Sequence, residues 1–414
     1  MNPTLGLGLL LAGLLTVEGI LKSNFSPKNH EAVSRDQVGK GRRAAQELAK
    51  RNTDFGFRLY KKLSCNNSNK NIFFSPWSIS VAFSMLTLGA QDSTLAEIKQ
   101  GFNFRNMPEK DLHEGFHYLI NRLNQRNHGH DLGLGNALFI DKKLKPQKKF
   151  LTDVKNLYKA DTIPINFRNS ENAQRQINDY VNQKTQGKIS NLVKKIDPST
   201  LILLTNYVFF RARWKHEFDP QATKEKDFIL EGNRTVKVPM MIHSSVYAVG
   251  HDEQLSCTVL EIPFKGNLSA LFILPDEGEM KNVEEALGMN TFAKWKKLLN
   301  RSVTEVSVPR LSISSQYDLK KTLSSLSVTK IFEDHGDLTR ISPHEGLKVG
   351  KVIHKAALKM DEQGAEGAAG SGMEVLPMQT RLKIKINRPF LLTIFDNSMN
   401  NILFIGRISN PSGN

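Results

Sequence analysis

The most constraining feature of this sequence is a stretch near its C-terminus, residues 362–373, which reads EQGAEGAAGSGM. It is rich in Gly and Ala, contains no aromatic or β-branched residue, and follows a predicted strand at residues 352–360. A segment without bulky apolar side chains cannot contribute to a hydrophobic core. Its composition is typical of a flexible surface loop. The alternative is a segment that slides between two strands, where bulky side chains would obstruct it.

The rest of the chain predicts one large domain. It has 414 residues, 39% of them hydrophobic, and no linker rich in Pro, Gly or Ser interrupts it between about residue 45 and the C-terminus. Apolar residues from Leu48 to Leu63 recur at helical spacing, and residues 78–88 and 110–123 predict a buried helix and an amphipathic helix. Helices first and strands later favour an α+β fold with large antiparallel sheets. The β-rich runs are residues 201–210, 235–241, 257–263, 270–274, 304–309 and 382–386.

The N-terminus predicts export from the cell. Residues 1–20 contain an apolar run that is too short to span a bilayer, which is typical of a cleaved signal peptide. Because the usual positively charged start is missing, an uncleaved anchor or a buried helix remains an alternative. Residues 21–44 are polar with little periodicity and predict a flexible arm. Five N-x-S/T sequons fit a secreted, extracellular glycoprotein: Asn24, Asn66, Asn233, Asn267 and Asn300.

Composition restricts the expected partners. Lys and Arg number 57 against 41 Asp and Glu, a formal net charge of +16. These bases form either a solvated surface or a patch for an anionic partner. For a secreted protein we expect heparin or heparan sulfate rather than a nucleic acid, since no zinc-finger spacing, RNP motif or basic helix is present. Cys65 and Cys257 are too few for a disulfide framework or a structural zinc site.

No catalytic motif is complete. His113 and His117 form a literal H-E-x-x-H, which on a helix could bind zinc, but no third ligand follows at the expected spacing. Residues 346–351 (GLKVGK) are too short for a P-loop. Ser371 lies in the small-residue stretch, where no base could be held against it. We therefore expect that the protein is not an enzyme and that it binds no metal and no cofactor. A zinc peptidase is a distant alternative.

Several motifs in a fixed order over residues 47–411 resemble the serpin family, in its antitrypsin-like clade. Residues 71–80 (NIFFSPWSIS) resemble the segment that the family calls the shutter. Residues 206–214 (NYVFFRARW) resemble the third strand of the main sheet and the breach at its end. Four more segments resemble the fifth strand, the hinge and the C-terminal signature: 352–355, 362–369, 387–390 and 403–411.

The resemblance implies a serpin domain at residues 45–414, with three β-sheets, about nine helices and an exposed reactive-centre loop at about residues 362–383. It implies a monomer without a nucleic-acid partner or a membrane span. A serine protease would attack the loop, the hinge would insert as a new strand, and the protease would stay trapped as a covalent acyl complex. The alternative is a non-inhibitory serpin, a carrier or signalling protein whose loop is only cleaved.

Counting from Glu362 as the seventeenth residue before the cut, as in the family, places the reactive bond between Met378 and Gln379, with Leu376 and Pro377 beside it. An apolar Met378 suits a hydrophobic S1 pocket, so we expect a chymotrypsin-like, elastase-like or kallikrein-type target. Ala replaces the usual Thr in the hinge, and each extra Gly there opposes ordering by about 0.5–1 kcal/mol relative to Ala. The hinge residues are Glu362, Gly364, Ala365, Gly367, Ala368 and Ala369.

The resemblance also assigns residues outside the loop. Those expected at the shutter and breach are Ser75, Ser78, Asn206, Trp214 and His354. A basic set expected to converge near the breach predicts a heparin site: Lys188, Arg211, Arg213, Lys215 and Lys359.

Overall fold

The computed structural model describes residues 28–65, 70–124, 130–343, 346–364 and 382–413. The chain divides into two units, Met1–Lys40 and Gly41–Asn414. In the first unit, the described residues from Lys28 onward are helical. The second unit contains all the sheets.

The described residues form nine α-helices. Most of the helical structure precedes the long run of strands in the second half of the chain, as predicted. In chain order the helices are α1 Lys28–Ser64, α2 Pro76–Thr87, α3 Asp92–Gly101, α4 Glu109–Leu123, α5 Lys148–Tyr158, α6 Ser170–Lys184, α7 Met280–Ala286, α8 Met289–Leu298 and α9 Lys320–Ser324. Three short 3₁₀ turns are Pro220–Ala222, Glu231–Asn233 and Lys330–Phe332.

The strands are β1 Ile72–Phe74, β2 His130–Asp141, β3 Asp161–Ile165, β4 Ile202–Ala212, β5 Lys224–Ile229, β6 Thr235–Asp252, β7 Cys257–Pro263, β8 Leu268–Pro275, β9 Asn300–Pro309, β10 Leu311–Asp318, β11 Val349–Met360, β12 Leu382–Lys385, β13 Phe390–Asp396 and β14 Asn401–Ile408. Each β-rich run predicted from the sequence coincides with one of these strands, although the runs 201–210 and 382–386 each extend one residue beyond β4 and β12. The predicted strand at residues 352–360 is the greater part of β11.

Five strands form a mixed sheet in the order β10-β11-β4-β2-β3. Nine strands form a second hydrogen-bonded network, in which β6 is the junction. The start of β6 pairs with β5 and its end pairs with β7. The three sheets expected from the resemblance therefore appear as two networks among the described residues, because one long strand belongs to two of the layers.

Both faces of the five-stranded sheet are covered. Residues that alternate along a strand point to opposite faces. Leu204 and Val208 accordingly lie in the main core, to which α2 also contributes, whereas Leu203 and Tyr207 pack in a second apolar cluster with Ile177 of α6. A sheet buried on both faces exposes little of its central backbone, so any change in strand order must displace packed side chains.

The buried and amphipathic helices predicted from the sequence are confirmed as α2 and α4. All residues of α2 are buried, and Ser75 caps its start by accepting a hydrogen bond from the Ser78 N–H. Of the part of the chain that the structure describes, no helix is long and apolar enough to cross a membrane.

The predicted flexible arm, residues 21–44, is helical from Lys28 onward, where α1 begins. Good helix formers such as Glu31, Ala32 and Arg35 allow a helix to extend beyond its apolar, periodic part. Low periodicity therefore did not indicate irregular backbone here. The signal peptide, residues 1–20, and the first part of the arm lie outside the described residues, and the domain boundary at residue 45 stays a prediction.

Candidate functional site

The site is organised around the contact between β4 and β11, which we call the seam. The two strands are parallel neighbours near the middle of the five-stranded sheet. Nine Cα pairs join them, from Val349 opposite Ile202 to Leu358 opposite Phe210. No other strand separates them, so the seam is closed along these pairs.

At the end of β11 the chain reverses in a tight turn, Asp361 to Gly364. The two end residues hydrogen-bond to each other, with the Asp361 N–H donating to the Gly364 carbonyl at 2.7 Å and the Gly364 N–H donating to the Asp361 carbonyl at 3.0 Å. Gly364 also forms an antiparallel bridge with Arg213, just beyond the end of β4. The chain that leaves β11 is therefore already turned back toward β4.

The carbonyls of this turn are held by the segment that follows β4. The Trp214 indole N–H donates to the Asp361 carbonyl at 2.9 Å, and the Trp214 backbone N–H donates to the Gln363 carbonyl at 3.0 Å. The Phe218 N–H donates to the Glu362 carbonyl at 2.7 Å. The Trp214 ring is buried and stacks on Phe264, with 4.3 Å between centroids. At the predicted breach, Trp214 therefore contacts the hinge through two hydrogen bonds.

The side chain of Glu362 is anchored as well. Its Oε1 accepts hydrogen bonds from Arg310 Nε at 2.7 Å and from Thr223 Oγ1 at 2.5 Å. Burial alone would raise the pKa of Glu362, but the hydrogen bonds from Arg310 and Thr223 outweigh it and hold the pKa below its usual value. Glu362 is therefore a carboxylate at neutral pH, paired with a guanidinium.

Gly364 occupies a position that only glycine fits. Its φ is +123°, a conformation that other residues rarely adopt. A Cβ there would lie 2.1 Å from the Ala212 carbonyl oxygen and 2.7 Å from the Arg213 Cα. The hinge glycine therefore permits both the turn and the close approach to β4.

Midway along the seam lies a buried polar cluster, the shutter. Asn206 of β4 and His354 of β11 are opposite each other in register, and His354 Nδ1 hydrogen-bonds to Asn206 Oδ1. The Ser75 N–H donates to His354 Nε2 at 3.1 Å, so the ring proton resides on Nδ1. Burial lowers the pKa of His354 to about 3, which keeps the imidazole neutral at pH 7.

Asn206 is fully hydrogen-bonded. Its Oδ1 also accepts from Ser78 Oγ at 2.6 Å, and its Nδ2 donates to the Ser78 carbonyl at 3.0 Å and to Asn136 Oδ1 at 2.5 Å. The four shutter residues predicted from the resemblance are thus brought together in one network. The cluster joins α2 to both strands of the seam.

Sequence reasoning missed two members of the shutter. Asn136 of β2 stands opposite Asn206 in register. Tyr317 of β10 stacks against His354, with 6.4 Å between ring centroids, and its hydroxyl accepts a hydrogen bond from the Phe73 N–H. A single polar residue in the otherwise small and apolar run 132–140 (LGLGNALFI) is the signal that could have indicated Asn136.

Most of the predicted reactive loop lies outside the described residues. This applies to Ala365, Gly367, Ala368 and Ala369 of the hinge, and to Leu376, Pro377, Met378 and Gln379 around the predicted bond. The structure describes the chain again from Leu382, where β12 pairs in parallel with β9. The loop thus connects the end of β11 to a strand of the other sheet network.

The predicted basic residues are partly brought together. Leu358 is opposite Phe210, so Lys359 and the backbone of Arg211 occupy adjoining positions at one end of the seam. Arg213 and Lys215 follow on the same chain segment and are exposed, as is Lys359. Lys188 is exposed in the connection after α6. Its convergence with the others stays a prediction.

Two further sets of predicted residues have clear positions. Asn233, Asn267 and Asn300 are exposed, as glycosylation requires, whereas Asn24 and Asn66 lie outside the described residues.

In the H-E-x-x-H motif, His113 Nδ1 hydrogen-bonds to the Tyr158 hydroxyl and His117 Nδ1 to the Leu157 carbonyl. Burial lowers the pKa of His113 to about 4. Both imidazoles therefore hydrogen-bond to residues of α5.

Comparison with known proteins agrees with this geometry. A model of the family described as "Serpin (serine protease inhibitor)" matches residues 50–411. Human "Serpin A12" is 61% identical over 413 residues, covering 100% of both chains. Segments of this sequence such as 89–104 and 211–220 resemble vaspin, which is another name of Serpin A12. Bovine "Serpin A3-6" is 41% identical, covering 100% of this chain and 98% of that protein.

Solved structures have the same fold. Human thyroxine-binding globulin is 38% identical with a TM-score of 0.84, covering 89% of this chain and 99% of its own. Human glycosylated kallistatin is 37% identical with a TM-score of 0.84, covering 90% of this chain and 99% of its own.

Proposed function

This chain belongs to the serpin family, and from that premise we propose that it is a secreted inhibitor that traps a serine protease by inserting its own loop into the seam. The protease serine attacks the carbonyl carbon of Met378, the bond to Gln379 breaks, and the Gln379 nitrogen takes up the proton of the serine hydroxyl and becomes a new N-terminus. The ester between Met378 and the protease serine persists while the hinge moves into the sheet.

The observation that carries this proposal is the turn at Asp361–Gly364 beside a closed parallel seam. Because β4 and β11 run parallel, a strand that reverses at this turn and enters between them is antiparallel to both. One parallel ladder is then replaced by two antiparallel ladders, and antiparallel pairing is slightly more stable per residue. Gly364, already bridged to Arg213, is the first residue of that new strand.

The small residues of the hinge support the same step. A strand that enters a sheet buried on both faces must place alternate side chains against α2 and against α6. Gly and Ala from Ala365 to Ala369 fit such a space without displacing the packed residues, and only Glu366 in this stretch is charged. We infer that insertion follows cleavage.

The apolar bait supports a target with a hydrophobic S1 pocket. Met378 cannot pair with the acidic S1 pocket of a trypsin-like enzyme, so the expected targets are chymotrypsin-like, elastase-like or kallikrein-type proteases. The exposed bases Arg213, Lys215 and Lys359 at one end of the seam support binding of heparin there. The apolar N-terminal run and the exposed sequons support secretion and glycosylation.

The test is denaturing gel electrophoresis of the purified protein mixed with each of these proteases, with and without heparin. We expect a covalent high-mass band that survives boiling in detergent, and a released peptide beginning at Gln379. Met378→Ala should lose the band. Met373→Ala, which changes another methionine of the same loop, should keep it and serves as the matched control.

A second candidate is a carrier whose loop is only cleaved, since the neighbour thyroxine-binding globulin is solved in complex with thyroxine. Cleavage at Met378 without a covalent band, at every protease and heparin level, would favour that function. For such a carrier, cleavage of the loop would leave the Tm unchanged, because no strand is inserted. For an inhibitor, we expect cleavage to raise the Tm by more than about 10 °C, because a new central strand adds several kcal/mol of pairing.

A further inference from the structure

A concave cavity of about 1110 Å³ lies outside the seam and outside every contact described above. Four segments that are distant in sequence form its walls: the end of α1, the end of β5 with the turn after it, α7 with the turn before it, and the connection 387–389. Arg407, near the end of β14, and Ser409, just beyond it, also line the cavity. Its volume is large enough to hold a small organic molecule.

The cavity offers an apolar surface to a ligand. Ile229, Leu230, Pro275, Met280 and Pro389 all line it. Ile229 is 39% exposed and, among the described residues, is one of three large hydrophobic side chains with that much exposure. A ligand that covered Ile229 would remove this apolar area from water, which favours binding.

The inner charges of the cavity are neutralised by the protein. Arg407 is buried, and its Nη1 donates to Glu284 Oε1 at 2.8 Å while its Nη2 donates to the Lys70 carbonyl at 3.2 Å. The Tyr60 hydroxyl donates to the same Glu284 oxygen. An anionic ligand would have to compete with Glu284 for this guanidinium, so the inner part of the cavity favours an apolar group without an anion.

The remaining charges give the cavity an acidic balance in a basic protein. Its lining contains five acids, Glu231, Asp276, Glu277, Glu284 and Glu285, against four bases, Lys61, Lys281, Arg388 and Arg407. The whole chain has 41 acids and 57 bases. Arg388 pairs with Asp276 at 3.6 Å and Lys281 with Glu285 at 4.0 Å. Within the described residues, the exposed Glu231 and Glu277 have no ion pair.

We propose that this cavity binds a small hydrophobic amine, with its apolar body against Ile229 and Met280 and its ammonium group near Glu231 or Glu277. The site is separate from the reactive loop, so binding does not depend on protease inhibition.

The experiment uses three fluorescent probes that share one ring system. Dansylcadaverine carries an ammonium group, N-butyl dansylamide is neutral, and N-dansylglycine is a carboxylate. Each is titrated into the full-length protein, and the blue shift of dansyl emission reports its transfer into an apolar site. We expect dansylcadaverine to bind most tightly, the neutral probe more weakly, and the anion most weakly.

Variants locate the binding. Ile229→Asn should weaken all three probes by about fivefold or more, because the apolar contact is lost. Val246→Asn is the matched control, since Val246 is 45% exposed on β6 and does not line the cavity. Glu231→Gln and Glu277→Gln should each weaken dansylcadaverine by about twofold to fivefold, as for an exposed ion pair, and leave the neutral probe unchanged.

Three outcomes would overturn the proposal. They are equal binding by the Ile229→Asn and Val246→Asn variants, tighter binding of N-dansylglycine than of dansylcadaverine, and no saturable binding of any probe. Circular dichroism and Tm of each variant confirm that it is folded. Since the reactive loop is untouched, the same variants should still form the covalent protease complex.

Discussion

The middle of the seam and its breach end are closed by different chemistry. At the shutter, His354 and Asn206 lie opposite each other in the middle of the ladder and are fully buried and neutral. At the breach, the hinge turn is held by hydrogen bonds that its backbone carbonyls accept and by one ion pair, in which the Arg310 side chain is 44% exposed. One closure is a saturated internal network, and the other is a partly solvated anchor.

This difference indicates that the shutter and the breach control different quantities. Inserting a strand moves β4 and β11 apart by about 4.8 Å, which must break the hydrogen bond between His354 and Asn206. At the breach, the turn at Asp361–Gly364 is already formed, and its side-chain anchor is Glu362, which is held by Arg310 and Thr223. We therefore expect the shutter to determine mainly how stable the closed sheet is, and the breach to determine mainly how soon the hinge enters.

The largest effect should come from Asn206→Ala at the shutter. It leaves His354, Ser78 and Asn136 with unsatisfied buried polar groups, so the free energy of unfolding should fall by about 3 kcal/mol. Urea unfolding followed by circular dichroism measures it. Asn290→Ala, at an exposed position of α8, is the matched control and should change the free energy by less than about 0.5 kcal/mol. A similar loss in both variants would contradict the importance of the network.

Acid should weaken the shutter through His354. Its pKa is about 3 in the folded protein and about 6.5 in the unfolded chain, so its contribution is complete above pH 6.5 and is lost as the pH falls toward 3. At about 1.4 kcal/mol per pH unit, the loss at pH 5 is about 2 kcal/mol. His113, with a pKa of about 4, adds a second loss of the same sign.

His113→Asn separates the two histidines, because His113 lies in α4 and is not part of the seam. Urea unfolding of this variant at pH 7 and pH 5 should still show the share that belongs to His354. An unchanged free energy of unfolding between these two pH values in His113→Asn would be incompatible with a neutral, buried His354.

The sequence predicted the elements better than the contacts between them. Apolar periodicity indicated α2 and α4, and β-rich runs indicated the strands, because both patterns are local. Four shutter residues were predicted only through the resemblance. Asn136 was missed because its role depends on its register opposite Asn206. Local patterns do not contain the pairing of distant strands.

The same limit applies to the breach and to the cavity. Glu362 was predicted as a hinge residue, but its partner Arg310 lies 52 residues away between two strands, in a stretch with no motif. The cavity is formed by four segments that no spacing in the sequence connects. Such sites follow from tertiary packing, which single-sequence patterns do not specify.

The smallest change in stability, and the sharpest test of the comparison, should come from Glu362→Gln. Since the ion pair with Arg310 is partly screened by solvent, the free energy of unfolding should fall by only about 1 kcal/mol. Glu217→Gln is a matched control, because Glu217 pairs with Lys265 at 2.9 Å with similar exposure but does not belong to the hinge. Both variants should lose similar stability.

The two variants should differ in rate. The substitution Glu362→Gln removes the ion pair that anchors the turn, so the hinge of this variant should enter the seam sooner. Glu217→Gln should behave as the unaltered protein. The rate of covalent complex formation with a chymotrypsin-like protease, and the rate at which inhibitory activity is lost on mild heating, measure this entry. If both rates change equally in the two variants, the breach acts only through general stability, and the division of roles between the shutter and the breach is wrong.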